Sequence, residues 1–194
     1  MTGGMGVVCR LLVVCILLLF IGGASAHPHV WVTMKCKIIF DDSGSVTGLL
    51  HSWSFDEMTS AFATMGMTSR NGALTREELA ASAREQIVSL SKDDFFTTVR
   101  VGNARQQLGA ASDYWLEFDG KLLTLHYLLP VTPALPPVAL TVEIYDPSYF
   151  VDVRFADESP VELIHAPNGC APSIARQTWT QMANKIFVTC DGRG

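Results

Sequence analysis

The stretch richest in potential chemistry is His27-Pro28-His29-Val30-Trp31-Val32, which follows directly on Ala24-Ser25-Ala26. A peptidase cut after Ala26 makes a histidine the first residue of the working protein. Its new α-amine, with an ordinary pKa of about 7.7 to 8, then stands beside its own imidazole, and the two nitrogens can chelate one metal ion. His29 adds a third nitrogen. Residues two apart in an extended chain point to the same side, so His27, His29 and Trp31 share a face, while Pro28 stiffens the link and supplies no N–H. The same residues also make an ordinary polar start to a strand, and both readings stand at this point. Nitrogen ligands with a nearby carboxylate suit zinc, nickel, cobalt or copper. Affinity alone ranks copper highest, so ligand type does not choose among them.

The residues before His27 have the form of a secretory leader. Arg10 precedes an apolar run from Leu11 to Ile21, and small residues end it. The run is shorter than the about 20 residues a membrane span needs. Cys9 and Cys15 each follow a valine, which disfavours a lipoprotein signal. The expectation is a leader at 1–26, cleaved, and an exported, periplasmic protein without stable membrane insertion. The remaining 168 residues (194 less 26) then carry 19 acidic and 13 basic side chains, Arg10 having left with the leader. That negative balance disfavours nucleic acid as a partner. The length suits one domain at 27–194 and is too short for two doubly wound α/β lobes. Of the cysteines that remain, Cys170 and Cys190 are the natural pair in an oxidising compartment, closing a loop of about 20 residues worth ~3 kcal/mol in the chain-entropy picture. Cys36 alternates with Val32, Met34, Ile38 and Phe40 and reads as a core thiol.

Positioning elements follow from periodicity. Val30 to Phe40 alternates apolar and polar as a half-buried strand does, Asp41 to Ser45 turns, and a second strand runs from Val46 to Phe55. A turn centred near Ser43 gives paired numbers that sum to roughly 84 to 86, which places Trp31 opposite Trp53 or Phe55, and His29 opposite Phe55 or Glu57. His51 is then on the order of 14 to 20 Å from the partner of His29. Asp56 and Glu57 are the better oxygen ligands. From Asp56 to about residue 91 the period of two is lost. Two helices are predicted: a short one from Glu57 to Met65, and a second capped by Thr75 with Glu78 completing a capping box before Leu79, Ile87 and Leu90. Met67 to Glu78 overlays a calcium loop at Gly72, Leu74 and Glu78, but Met67, Ser69 and Asn71 stand where carboxylates are wanted. Calcium binding is therefore not expected.

After Lys92 the strand period returns: Phe95–Val101, Tyr114–Phe118, Leu122–Leu129, Val138–Tyr145, Tyr149–Phe155, Val161–Ile164 and Lys185–Cys190, with 166–173 as a loop. About nine strands with a helix-loop-helix insertion indicate a mainly β (α+β) chain, an antiparallel sandwich-like domain. His126 lies opposite the apolar face of its strand and is a candidate ligand. Asp146, before Pro147, is an Asx-turn residue, and His165 precedes a loop. No Gly-x-Ser-x-Gly elbow and no phosphate-cradling loop occurs, so an enzyme is the weaker hypothesis.

Several blocks together, His27-Pro28-His29-Val30-Trp31, Trp53-Ser54-Phe55-Asp56-Glu57, Leu74-Thr75-Arg76-Glu77-Glu78-Leu79, Asp113-Tyr114-Trp115-Leu116-Glu117, Leu123-Thr124-Leu125-His126-Tyr127 and Tyr145-Asp146-Pro147-Ser148-Tyr149-Phe150, resemble the DUF1007 family of exported bacterial proteins. The resemblance spans nearly all of the chain after the leader. It implies the periplasmic component of an uncharacterised ABC-type transport system, in a family often associated with nickel/cobalt-type or zinc transport. The family's usual Asp-x-Asp-x-Asp-Gly loop is absent here, which removes the carboxylates a calcium role would use. The segment between Cys170 and Cys190 is also shorter than the family pattern.

The expectation is then a periplasmic transition-metal carrier that serves an inner-membrane transporter or permease by capture and hand-over. His27 and His29 are its primary ligands, Asp56 or Glu57 an oxygen ligand or orienting partner, and His126 a fourth. The alternative is an adaptor or structural subunit that docks through the helical insertion and binds no metal. A copper redox enzyme with an N-terminal histidine chelate ranks third.

Overall fold

The computed structural model describes residues 29–67, 73–136, 139–178 and 182–190. Residues 1–28, which hold His27 and the expected leader, and the centre of the loop from Met67 to Glu78 lie outside them. The described residues form two sheets whose inward faces share one hydrophobic core. The mainly β, sandwich-like architecture expected from periodicity is the one observed.

The first sheet is organised around β1 (Val30–Phe40) and β2 (Val46–Phe55), an antiparallel hairpin. β2 pairs on with β6 (Leu123–Leu135), and β6 with β5 (Ser112–Phe118). On its other side β1 is met by β8 (Val151–Phe155) along its first half and β9 (Val161–Ile164) along its second. Both of those pairings are parallel, whereas the other strand pairings described are antiparallel, as the sandwich-like expectation has it. The second sheet runs β10 (Cys170–Ala175), β11 (Asn184–Cys190), β7 (Leu140–Ile144), β3 (Thr97–Val101), β4 (Ala104–Arg105).

The hairpin register differs from the turn-based estimate. Val32 faces Phe55, Met34 faces Trp53 and Cys36 faces His51, so paired numbers sum to 87. Trp31 is thereby level with Asp56, not with Trp53 or Phe55. An even sum would have set the apolar side of β1 against the polar side of β2. The core decides the register, and an irregularity between Ile39 and Phe40 absorbs the difference at the turn.

Other boundaries also move. β6 continues through Pro130 and Pro133, because a bulge opposite Val46 and Gly48 accommodates residues that lack an N–H. Cys170–Ala175 is a strand rather than a loop, and its Pro172 is tolerated at a sheet edge. β3 starts only at Thr97, since Asp94, Phe95 and Phe96 all have left-handed φ of 50 to 54°. That costly backbone turns the Phe95 ring toward Tyr127 and lays the Phe96 ring on Trp53. β8 likewise begins after Tyr149, whose φ is 60°.

The helical insertion is as expected in kind. Helix α1 (Glu57–Ala63) is capped by Asp56, and α2 (Arg76–Leu90) carries the full capping box of Thr75 and Glu78. Helix α2 buries Leu79, Ala83 and Ile87 and packs along β5.

Candidate functional site

The start of β1 is held from both sides. The N–H groups of His29 and Val30 donate to the carbonyl of Phe150 at 2.9 and 3.2 Å. Phe150 is itself placed by Asp146, a nearly buried carboxylate that accepts from Ser148, Phe150 and Val151 N–H at 2.7, 3.1 and 2.9 Å. Asp146 is thus the corner-forming residue its position before Pro147 predicts. The His29 ring packs at 5.2 Å against that of Phe150, and the residue is exposed. Among the described residues, no hydrogen bond or ion pair engages its ring nitrogens.

On the other side stands Asp56. Its Oδ2 accepts the Trp31 N–H at 3.1 Å and the Thr59 hydroxyl at 2.6 Å, while Oδ1 accepts the Thr59 N–H at 2.9 Å. Partial burial works against ionisation, but these bonds outweigh it and hold the carboxyl below the usual aspartate range. Both oxygens are therefore committed to capping α1 and anchoring β1. Glu57 instead points to solvent in an exposed ion pair with Lys121 at 2.8 Å, the kind worth little to stability.

His126 belongs to a different place. It is opposite Ser52, which is opposite Lys35, six residues along β1 from His29. At strand rise that separation is roughly 20 Å before the two strand widths are added, so His126 does not join His29 as a fourth ligand. It sits instead in a network on the outer face of the sheet. Nδ1 is 2.9 Å from the Ser52 hydroxyl, and the ring lies flat on the Trp115 indole at 4.7 Å. Glu117 Oε1 accepts from Arg76 at 2.7 Å and from Trp115 Nε1 at 2.8 Å, with the Arg76 guanidinium 4.6 Å above the indole. Nε2 of His126 is 3.4 Å from Glu117 Oε2, close enough for charge attraction but without hydrogen-bond geometry. Burial lowers the His126 pKa, and the Glu117 charge opposes that shift. This network fastens α2 to the sheet.

His51 is fully buried in the sandwich interior, on the opposite face from His29. His165 is exposed after β9. Glu78 donates no free carboxylate to the loop from Met67, since Oε2 accepts the Thr75 N–H at 2.8 Å. Among the described residues no three His, Cys, Asp or Glu side chains converge on one point. Sequence reasoning missed the Arg76–Glu117–Trp115 network, which is built across two elements; the Trp115/Glu117 spacing of two was its one legible sign. It also missed the interior row Cys36–His51–Tyr127, formed only when three strands align.

Cys170 and Cys190 are opposed residues of β10 and β11 and are joined by a disulfide. Fold and site together define a disulfide-closed, mainly β sandwich domain with a capped helical insertion. The chain matches the family described as protein of unknown function (DUF1007) over residues 12–190 and belongs to that family. It is similar to an uncharacterized protein of Haemophilus influenzae, 23% identical over 150 residues, which are 76% of this chain and 72% of that one. Among solved structures it is similar to the AChBP from Bulinus truncatus, 12% identical with a TM-score of 0.40 over 90% of this chain and 95% of that chain. A likeness of that degree carries no argument about function.

Proposed function

We propose that this protein is exported to the periplasm and binds a divalent transition metal at its mature N-terminus, for capture and hand-over to an inner-membrane transporter. The observation that carries the reading is the placement of His29. Its backbone is fixed by Phe150 and the residue is exposed; the sequence puts His27 two positions earlier, the spacing that shares a face wherever a chain is extended. The α-amine and imidazole of His27 with the imidazole of His29 are the ligands. Glu57, whose ion pair is exposed and exchangeable, is the available carboxylate, and Asp56 positions the strand. Zinc, nickel, cobalt and copper all suit this donor set. Affinity falls with pH as the nitrogens protonate. The Cys170–Cys190 disulfide supports an oxidising compartment, and no described helix is long and apolar enough to cross a membrane.

Native and denaturing mass spectrometry of the protein taken from the periplasm tests this reading. A chain that starts at His27 and carries one metal ion, lost in His27→Ala and His29→Ala, is the expected result. A His27 start that takes up none of the four metals sinks it.

One observation favours the second reading, an adaptor that docks on a membrane transporter without metal. Helix α1 turns Met58 and Phe62 outward at 68 and 75% exposure, and Met65 in the turn just past its C-cap is 73% exposed, while Ser60 faces inward and accepts the Leu123 N–H. An apolar pair at i, i+4 on the solvent side, extended by Met65 in the following turn, is the reverse of a helix built only to pack on its own core.

A further inference from the structure

The row Cys36–His51–Tyr127 crosses β1, β2 and β6 on the face that points between the sheets. Cys36 is a free thiol at 1% exposure, and His51 and Tyr127 are at 0%. The imidazole stacks on the phenol ring at 4.9 Å and 15°. Neither nitrogen of His51 has a hydrogen-bond partner, and neither does the hydroxyl of Tyr127. Buried polar groups in folded proteins are nearly always satisfied, and leaving one unpaired costs about 1–3 kcal/mol. A fully buried core position would be filled more cheaply by leucine or valine, so an imidazole paired between a thiol and a phenol points to a ligand for its nitrogens.

We propose that Cys36 and His51 form a buried site for a cuprous ion, the thiolate sulfur and one imidazole nitrogen binding it from opposed positions of the β1/β2 hairpin, with Tyr127 as the flanking oxygen. Side chains directly opposed across antiparallel strands have Cβ atoms about 4.5–5.5 Å apart, a span one bridging ion can close. Softness and charge select the metal. Thiolate favours Cu(I) and zinc among the biological ions, but zinc takes four ligands and this row offers three donors. Burial pushes the Cys36 thiol up to about 12 and the His51 imidazole down to about 3, so both are neutral before metal enters. Cuprous ion displaces the thiol proton to solvent and leaves an S–Cu bond; one positive and one negative charge cancel. That neutrality matters because the only buried acid among the described residues, Asp146, is committed at its corner. The surrounding rings of Trp53, Phe95 and Tyr127 keep water from the ion. Loading accompanies folding, as in other sites formed only by the native state. The site shares no ligand with the N-terminal one and stands or falls apart from it.

The test refolds the chain that starts at His27, in which Cys36 is the one thiol outside the disulfide, without oxygen and with cuprous chloride as probe, removes unbound metal, and then counts copper and records copper-edge X-ray absorption. A background with His27→Ala and His29→Ala together removes both N-terminal imidazoles. The expected result is stoichiometric copper with a sulfur neighbour in both chains, falling to background in Cys36→Ala and in His51→Phe, the latter keeping the ring stack on Tyr127. Near-UV circular dichroism identifies which variants are folded. Copper without a sulfur neighbour, copper undiminished in folded Cys36→Ala, or no copper retained by natively folded parent chain would each overturn the site. The last would assign the polar atoms to internal water, which a crystal structure would show.

Discussion

The carboxylate of Asp56 accepts the backbone N–H of Trp31 at 3.1 Å across 25 positions of sequence, while its other oxygen caps the helix that follows. One side chain thus ties the first strand to the helical insertion and sets where His29 stands. Replacing it with alanine removes a helix cap and a charge-assisted bond together, a loss of about 1–2 kcal/mol. Urea unfolding reads that loss, and faster hydrogen exchange at Trp31 distinguishes a loosened strand from a frayed helix. Because the folded pKa is depressed, the stabilisation is complete above the ordinary aspartate value of about 3.9 and disappears as pH falls through the lower folded value. Asp56→Asn should flatten stability in that acid window.

His126 gives a second titration with the sign worked by its neighbours. Burial lowers its pKa, Glu117 pulls it back up and Arg76 pushes it down. A proton NMR titration should place its midpoint below 6.5, lower still in Glu117→Gln and higher in Arg76→Ala. Stability from the neutral ring is present above the unfolded pKa and is lost as pH falls through the folded one. Shifts of the same sign in both variants would show that the charges do not set it.

The disulfide closes a separation of 20 residues between the two strands at the edge of the second sheet. Cys190→Ser should cost on the order of 3 kcal/mol, and reductant should destabilise the parent chain by a like amount while leaving the variant unchanged. Denaturant midpoints with and without reductant measure both.

Phe62 separates the two functional readings. Its ring lies in solvent on the outward stripe of α1, so Phe62→Ser should leave stability within about 0.5 kcal/mol of the parent. If the stripe docks on a membrane transporter, the same substitution should abolish crosslinking to that partner in cells while metal content stays unchanged. Undiminished crosslinking would remove the stripe from the interface.

Much of this architecture is legible before any coordinates. The period of two in β1 and β2, the Thr75/Glu78 capping box and the Asp146 corner are local signals, each carried by residues close in sequence, and the Cys170/Cys190 pair follows from how few cysteines there are to choose from. Register and convergence are not local. A turn can be centred from its own residues, yet the sum of 87 between β1 and β2 is decided by which faces must meet the second sheet. That single step sends His51 into the core beside Cys36 and leaves His126 on the outer face, far from His29. Asp56 is expected from the sequence as an oxygen ligand or orienting partner, and the folded chain commits its oxygens to the Trp31 N–H, the Thr59 hydroxyl and the helix cap. The sequence by itself determined most of the strands, the Thr75/Glu78 cap and the disulfide partners, because those follow from periodicity, short-range bonding and the small number of cysteines. The tertiary structure alone decided which side chains share a site, because that depends on how the sheets bury their apolar faces against each other.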